Sequence, residues 1–207
     1  MEVFWQATMC DWVRHKPYLM RPRYGYLIEP LGGEYNNTKN IAGVDFVVNT
    51  TIEDASFVNR LGVVKGLPTT ENDSELQVGD IVVVHHNVFR TYLDMKGRKT
   101  KSNEYFRGDS YIVPLERIYL YKRKDDWKAL KSFCFVLPVD YDQDSTILRN
   151  KEKEDHVGLI EVSNKYLESK GIFKGSKIGF TKNSEYEFNI EGKKLYRMQT
   201  RDVCLEI

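Results

Sequence analysis

The feature that most restricts the fold of this 207-residue chain is that it repeats itself. Leu61-Gly62-Val63-Val64 is answered by Val157-Gly158-Leu159-Ile160. At that one offset, without a gap, Leu76 meets Ile172, Gly79 meets Gly175, Val82 meets Ile178, Val84 meets Phe180 and Asn87 meets Asn183. A second block pairs Tyr111 with Tyr196, Val113 with Met198, Ile118 with Val203 and Leu120 with Leu205. The openings correspond as well, Tyr26-Leu27-Ile28-Glu29-Pro30 with Phe135-Val136-Leu137-Pro138. The offset changes between blocks because the first copy carries about eleven extra residues near Arg90 to Lys101. Blocks that match in the same order describe one supersecondary unit used twice, and such a repeat decides the architecture before any single element does.

The unit is built from strands. Matched apolar positions alternate, as one buried face of a sheet requires, and Gly79 and Gly175 stand where a turn enters a strand, where glycine tolerates the backbone angles. Short apolar runs punctuated by turn residues fill the rest of the chain. Tyr24 to Glu29, Arg60 to Lys65, Ile81 to His86 and Ile118 to Lys122 read as strands, and Tyr105 to Val113 reads as a hairpin around Arg107-Gly108-Asp109. The second copy runs from Phe133 to Val139 through Asp155–Val162, Lys177–Thr181, Tyr186–Ile190, Lys194–Met198 and Val203–Ile207. Glu191-Gly192 is a hairpin signal. Helical content is limited to single turns at Leu115–Arg117 and Lys165–Lys170.

The expected organisation is an aromatic N-terminal arm over 1–23 with Phe4, Trp5, Trp12 and Tyr18, then a first β unit over 24–124. That unit contains a basic, polar insertion near 90–103, read as a hairpin or loop. A charged linker at 125–130 leads into a second β unit over 131–207.

The chemistry left open by these residues is narrow. A net charge of +1 supplies no field for nucleic acid or an anionic membrane. No apolar run approaches the ~20 residues a membrane helix needs. Met1-Glu2-Val3-Phe4-Trp5 has no basic n-region followed by an apolar h-region, so a cleaved secretion signal is not expected. Cys10, Cys134 and Cys204 are odd in number and lack a CxxC, which suits buried, reduced thiols in the cytoplasm. His85 and His86 are adjacent on an apparent strand, so they are expected on opposite faces and not on one metal. No glycine-rich phosphate loop or GxSxG is present. The expectation is a protein that is not an enzyme, with no cofactor and no metal.

Each copy resembles the co-chaperonin family of GroES type. In the first copy the resemblance is carried by the order of Tyr26 to Glu29, Leu61-Gly62-Val63-Val64-Lys65-Gly66, Leu76-Gln77-Val78-Gly79-Asp80-Ile81-Val82-Val83-Val84 and a closing strand at Ile118 to Tyr121. It covers roughly residues 24–122 and 131–207, and the insertion near 90–103 is similar to that of virus-encoded relatives. The resemblance implies an all-β chain of two tandem GroES-like small β-barrels with short helical turns at most. It implies a lid that caps a chaperonin ring, with ATP bound by the partner, and self-association into a ring. The location would be the cytoplasm, the host's if the chain is virus-encoded. It also implies a chaperonin-binding loop at Asn40 to Asn49, with Gly43 as hinge and Val44, Phe46, Val47 and Val48 as apolar anchors that order on binding. The matching place in the second copy is Thr146, Ile147 and Leu148, between charged flanks and without glycine. The alternative to docking is that Asp45 to Val48 is a sheet strand. The alternative function is a structural protein, such as a virus-particle component, that reuses the same barrel without a chaperonin.

Overall fold

A computed structural model describes residues 21–36, 38–41, 43–47, 55–70, 74–140 and 153–207. The expected arm over residues 1–20 and the second loop, Thr146 to Leu148, lie outside the described residues. The chain is mostly β-sheet. Its strands are β1 Tyr26–Pro30, β2 Thr38–Ile41, β3 Val44–Val47, β4 Leu61–Gly66, β5 Ile81–Val84, β6 Thr91–Leu93, β7 Lys99–Lys101, β8 Tyr105–Arg107 and β9 Ser110–Val113. They continue with β10 Ile118–Arg123, β11 Asp126–Ala129, β12 Phe133–Asp140, β13 Lys153–Val162, β14 Lys177–Phe180, β15 Tyr186–Ile190, β16 Lys193–Gln199 and β17 Val203–Glu206. Among the described residues the one α-helix, α1 Lys165–Ser169, starts at Asn164, whose side chain accepts from the Leu167 amide at 2.9 Å. Leu115–Arg117 and Thr200–Asp202 are 3-10 turns. Among the described residues no helix is long and apolar enough to cross a membrane.

The strands form two main sheets. One, of seven strands, runs β11-β10-β5-β4-β1-β9-β8, and the other, of six, runs β15-β16-β12-β13-β14-β17. Leaving out β11, the second order read backwards is the first with each strand replaced by its sequence counterpart. The registers agree too. Gly62 pairs with Pro30 and with Val82, as Gly158 pairs with Pro138 and with Ile178. Tyr26 opposite Val113 corresponds to Cys134 opposite Met198. Even the irregularities recur, one between Ile118 and Leu120 and one opposite Val203 and Leu205. Among the described strands both orders run from one edge to the other, so the observed unit is an open sheet rather than a closed hydrogen-bonded barrel.

The repeated glycines have repeated reasons. A Cβ on Gly62 would lie 2.5 Å from Ile28 Cγ2 and 3.0 Å from the Glu29 carbonyl oxygen; on Gly158 it would lie 2.3 Å from Val136 Cγ1 and 2.9 Å from the Leu137 oxygen. Gly79 and Gly175 adopt φ of 97° and 91° and donate to the Val64 and Ile160 carbonyls at 2.8 and 2.7 Å. In the first unit Asp80 completes this turn. Its carboxylate accepts from the Gln77 amide at 2.8 Å and takes Arg123 in a two-pronged ion pair at 2.6 and 2.9 Å, tying the turn to the end of β10. Ser176 stands in its place in the second unit and keeps a bond of 3.2 Å with the Phe173 amide.

Each sheet buries its own core. Ile28, Val64, Val82, Val84, Tyr111, Val113 and Ile118 close the first, and Val136, Ile160, Ile178, Phe180 and Met198 the second. A third cluster joins the two sheets. Val83, Tyr119 and Leu120 on the outer face of the first pack against Phe133, Phe135, Val162, Phe188, Ile190 and Leu195 of the second. Burying a side chain of this size contributes ~1.5–3 kcal/mol, so the halves are packed together rather than strung on a linker. The 125–130 segment accordingly differs from expectation. Its centre is β11, paired with β10 from Arg123↔Asp126 to Leu120↔Ala129, and Leu130 is buried in the first core. The insertion near 90–103 forms a two-stranded hairpin of its own, β6–β7.

Candidate functional site

Between β1 and β4 the first unit makes a long excursion, and its base is held by backbone and side chain together. Tyr35 and Val58 form an isolated antiparallel bridge, the Asn36 amide donates to the Phe57 carbonyl at 2.8 Å, and the Asn59 amide donates to Glu34 at 2.9 Å. Asn59 itself is buried. Its side-chain amide donates to the Leu31 and Gly33 carbonyls, each at 2.7 Å, and its oxygen accepts from the Leu61 amide at 2.9 Å. A buried amide that leaves these bonds unmade would be costly, so Asn59 works as a clasp that brings the two ends of the excursion together.

The described part of the excursion is the hairpin β2–β3. Thr38 pairs with Val47, Lys39 with Phe46, Asn40 with Asp45 and Ile41 with Val44, and these strands join neither main sheet. Gly43 lies in the two-residue connection at φ 84°, exposed, with nothing within 4 Å of where a Cβ would stand. Of the residues expected to dock, Gly43, Val44, Phe46 and Val47 are thus on one hairpin, and Val48 lies outside the described residues. The segment is neither an open loop nor a strand of the main sheet. Asp45 is paired with Asn40 in this hairpin.

The excursion's base is tied to the second hairpin, β6–β7. The Thr91 amide donates to the Tyr35 hydroxyl at 2.9 Å. Glu34 forms an ion pair with Lys101 and accepts from the buried Tyr111 hydroxyl at 2.7 Å. Burial, and after it the Glu34 carboxylate, raises the Tyr111 phenol well above its ordinary value, so it stays a donor. At the tip of β6–β7, Asp94 accepts from the Lys96 and Arg98 amides, each at 2.8 Å, which fixes the turn under a fully exposed Met95.

The remaining concentration of polar chemistry lies where the sheets meet. His85 and His86 follow the end of β5, and their rings stack with centroids 4.1 Å apart. The opposite-faces expectation fails because the strand stops at Val84. The His85 amide bonds the Arg117 carbonyl at 2.9 Å and its Nδ1 accepts from the Asn87 amide at 3.1 Å, so the chain is already turning. His86 Nδ1 lies 2.6 Å from the Tyr186 hydroxyl of the second unit. The Arg197 guanidinium sits 4.9 Å from the Tyr119 ring centroid, 5.3 Å from Phe133 and 5.2 Å from Tyr186, and Arg60 lies 4.5 Å from Phe188. Burial, then His86 and the arginines at 117, 197 and 60, lower the His85 pKa to about 4; burial, then Arg60, also lowers that of His86. Both imidazoles are therefore neutral near pH 7.

A cleft of about 470 Å³ on another side of the junction is lined by β11 and the β13–α1 region, and several of its charges are paired. Lys122 reaches Glu191 at 2.6 Å, and Lys193 and Lys174 share Glu161 at 2.9 and 3.3 Å. Among the described residues no group of three or more His, Cys, Asp or Glu is placed to hold a metal. Cys134 is buried, and burial pushes its thiol up to about 12. Cys204 is exposed, against the expectation of buried thiols, because it lies on the outer face of β17. No protein-family model matches the chain, and no curated protein matches it.

Proposed function

We propose that this chain is a co-chaperonin-like lid, built from two GroES-like units, that caps a chaperonin ring and docks through the β2–β3 hairpin. One observation carries this reading: a hairpin between β1 and β4 pairs its backbone with neither main sheet and is held at its base by Asn59. Docking would bury the apolar residues Val44, Phe46 and Val47, and several copies in one assembly would multiply a weak contact. ATP belongs to the chaperonin. Gly43 supplies the turn, and the β6–β7 hairpin, tied to the same base, would lie beside the contact.

The test replaces Phe46 and Val47 together by serine. Because β3 pairs only with β2, the circular dichroism spectrum and unfolding midpoint are expected to persist. Co-migration with a purified chaperonin in the presence of nucleotide is expected to be lost. A wild-type chain that binds no chaperonin in any nucleotide state would overturn the lid. The structural-protein reading, with the hairpin packed against a fixed neighbour in a particle, would then take its place.

A further inference from the structure

We propose that the seam between the two units binds an oxyanion of the phosphate class, held by the guanidinium groups of Arg60 and Arg197 and the imidazole of His85. Such a site involves neither the β2–β3 hairpin nor a chaperonin, so it is independent of the lid reading.

The fold brings these groups together from both units. Arg60 precedes β4, His85 follows β5, and Arg197 lies on β16 of the second unit, directly opposite Tyr186 of β15. Both guanidinium groups approach the same Tyr186 ring, Arg197 at 5.2 Å from its centroid and Arg60 at 5.7 Å. His85 and Arg197 also share the Tyr119 ring, at 6.3 and 4.9 Å between centres. After burial, His86 and Arg117, these two arginines lower the His85 pKa, which places His85 within electrostatic reach of both. Like charges gathered in this way repel one another, a cost that a bound anion removes.

No carboxylate of the chain does so. Among the described residues neither Arg60 nor Arg197 forms an ion pair. Arg60 gives one hydrogen bond, to the Glu187 carbonyl at 3.0 Å, and Arg197 gives none; its Nε is buried without a partner. The carboxylate of Glu187 is taken by Lys194, and the neighbouring Arg117 is already paired with Glu104 at 2.7 Å. Aromatic rings cover guanidinium faces and leave the N–H edges, which are the groups that bond an oxyanion in pairs. His85 adds a donor. Its Nδ1 accepts from the Asn87 amide at 3.1 Å, so the neutral ring carries its proton on Nε2, which has no partner among the described residues.

The repeat shows that the scaffold does not require these charges. At the places of Arg60, His85 and Arg117 the second unit has His156, Thr181 and Asp202, and at the place of Arg197 the first unit has Ile112. The positive cluster is a property of the seam. Two guanidinium forks and an imidazole N–H suit a tetrahedral dianion with oxygens in several directions. Free phosphate and a phosphate monoester share that chemistry.

Isothermal titration of the full chain with inorganic phosphate near pH 7, against sodium chloride at matched ionic strength, tests the site. The wild type is expected to bind a single phosphate per chain, and its urea midpoint is expected to rise with phosphate concentration. Arg197→Gln and Arg60→Gln are each expected to weaken binding ~10-fold or more. Arg201→Gln, at a side chain that is 80% exposed, is expected to bind as the wild type does. Phenyl phosphate, titrated in parallel, separates the two sources: tighter binding than inorganic phosphate assigns the seam to a monoester, and equal or weaker binding assigns it to the free ion. Arg197 also stacks on three rings, so circular dichroism checks its variant; should that variant misfold, Arg60→Gln carries the test. Absence of saturable binding with both probes would overturn the proposal, as would binding that the arginine substitutions leave unchanged.

Discussion

The two units share one strand order and differ in what they do with their outer faces. Most positions that point into a core keep their chemistry between copies: Ile28 and Val136, Val64 and Ile160, Val82 and Ile178, Ile118 and Val203, with Tyr26 and Cys134 an exception. Several positions that point outward do not, although Leu120 and Leu205 agree: Val83 faces Gly179 in the comparison, Tyr119 faces Cys204, and Ile112 faces Arg197. An inward position answers to a core packed at crystal-like density, whereas an outward one answers only to its neighbour. The first unit carries the additions, β2–β3, β6–β7 and β11, and the second carries the aromatic residues that cover its partner. The shared scaffold therefore reports the fold, and the differences report the contacts.

The largest expected effect follows from that asymmetry. Phe188 is buried in the junction, beside the Tyr119 and Phe135 rings at 5.8 and 5.7 Å. Phe188→Ala is expected to cost ~3–5 kcal/mol, the usual range for emptying a buried aromatic site. Phe106→Ala, at the half-exposed residue of β8 next to Arg107, which stands at the position matching Phe188, is expected to change stability by less than ~1 kcal/mol in dilute monomer. Urea unfolding of both variants at low protein concentration measures the difference. Equal losses would mean that Phe106 is covered as fully as Phe188, against its 48% exposure.

Next comes a pair of substitutions that should behave alike. Gly62→Ala and Gly158→Ala each force a Cβ against a core methyl group and a backbone oxygen of the neighbouring strand. Overpacking of this kind costs ~1–3 kcal/mol. The two unfolding free energies are expected to fall by amounts within about 1 kcal/mol of each other. A harmless substitution at one site alone would show that the strands at that site are spaced differently from their counterparts.

These glycines also show how far the sequence could be read. The repeat was legible because its matched residues are those under two-sided constraint: close-approach glycines, turn glycines at positive φ, and apolar residues aimed at a core. The matched pairs that lie on paired strands land at equivalent register. What stayed hidden depended on a neighbour that the sequence does not name. Asp126-Trp127-Lys128-Ala129 reads as a charged linker, yet Trp127 and Ala129 pack against the junction while Asp126 and Lys128 are exposed. The alternation is that of a strand, and its apolar half makes sense only once the second unit is in place. The same holds for Arg60, Arg197 and Tyr186, which are distant in sequence, and for the stacked histidines, whose strand ends at Val84, two residues before the expected end at His86. The excursion after β1 was visible as a segment, but its self-paired form and the Asn59 clasp belong to long-range pairing.

The smallest expected effect concerns pH, and it too separates the units. His85 has Thr181 as its counterpart, and both amides bond the equivalent carbonyl, Arg117 and Asp202, at 2.9 Å. Only the first unit therefore places an imidazole at the junction. With a pKa of about 4 when folded and 6.5 as the ordinary value, His85 resists a proton that the unfolded chain accepts. Stability from this group is complete above pH 6.5 and declines as pH falls towards 4, where the folded form also protonates. Because the ring is only partly buried, solvent screening reduces the effect to roughly 1–2 kcal/mol over that window. His85→Asn is expected to flatten the pH dependence of the urea midpoint between 6.5 and 4 relative to wild type. His86, Tyr186 and the arginines at 60, 117 and 197 remain as the charged and titrating surroundings. Thr181→His should add no comparable slope, because the outer face of the second unit has no arginine cluster among the described residues. An unchanged slope in His85→Asn would place the acid sensitivity elsewhere, in His86 or in the carboxylates that bind the two sheets.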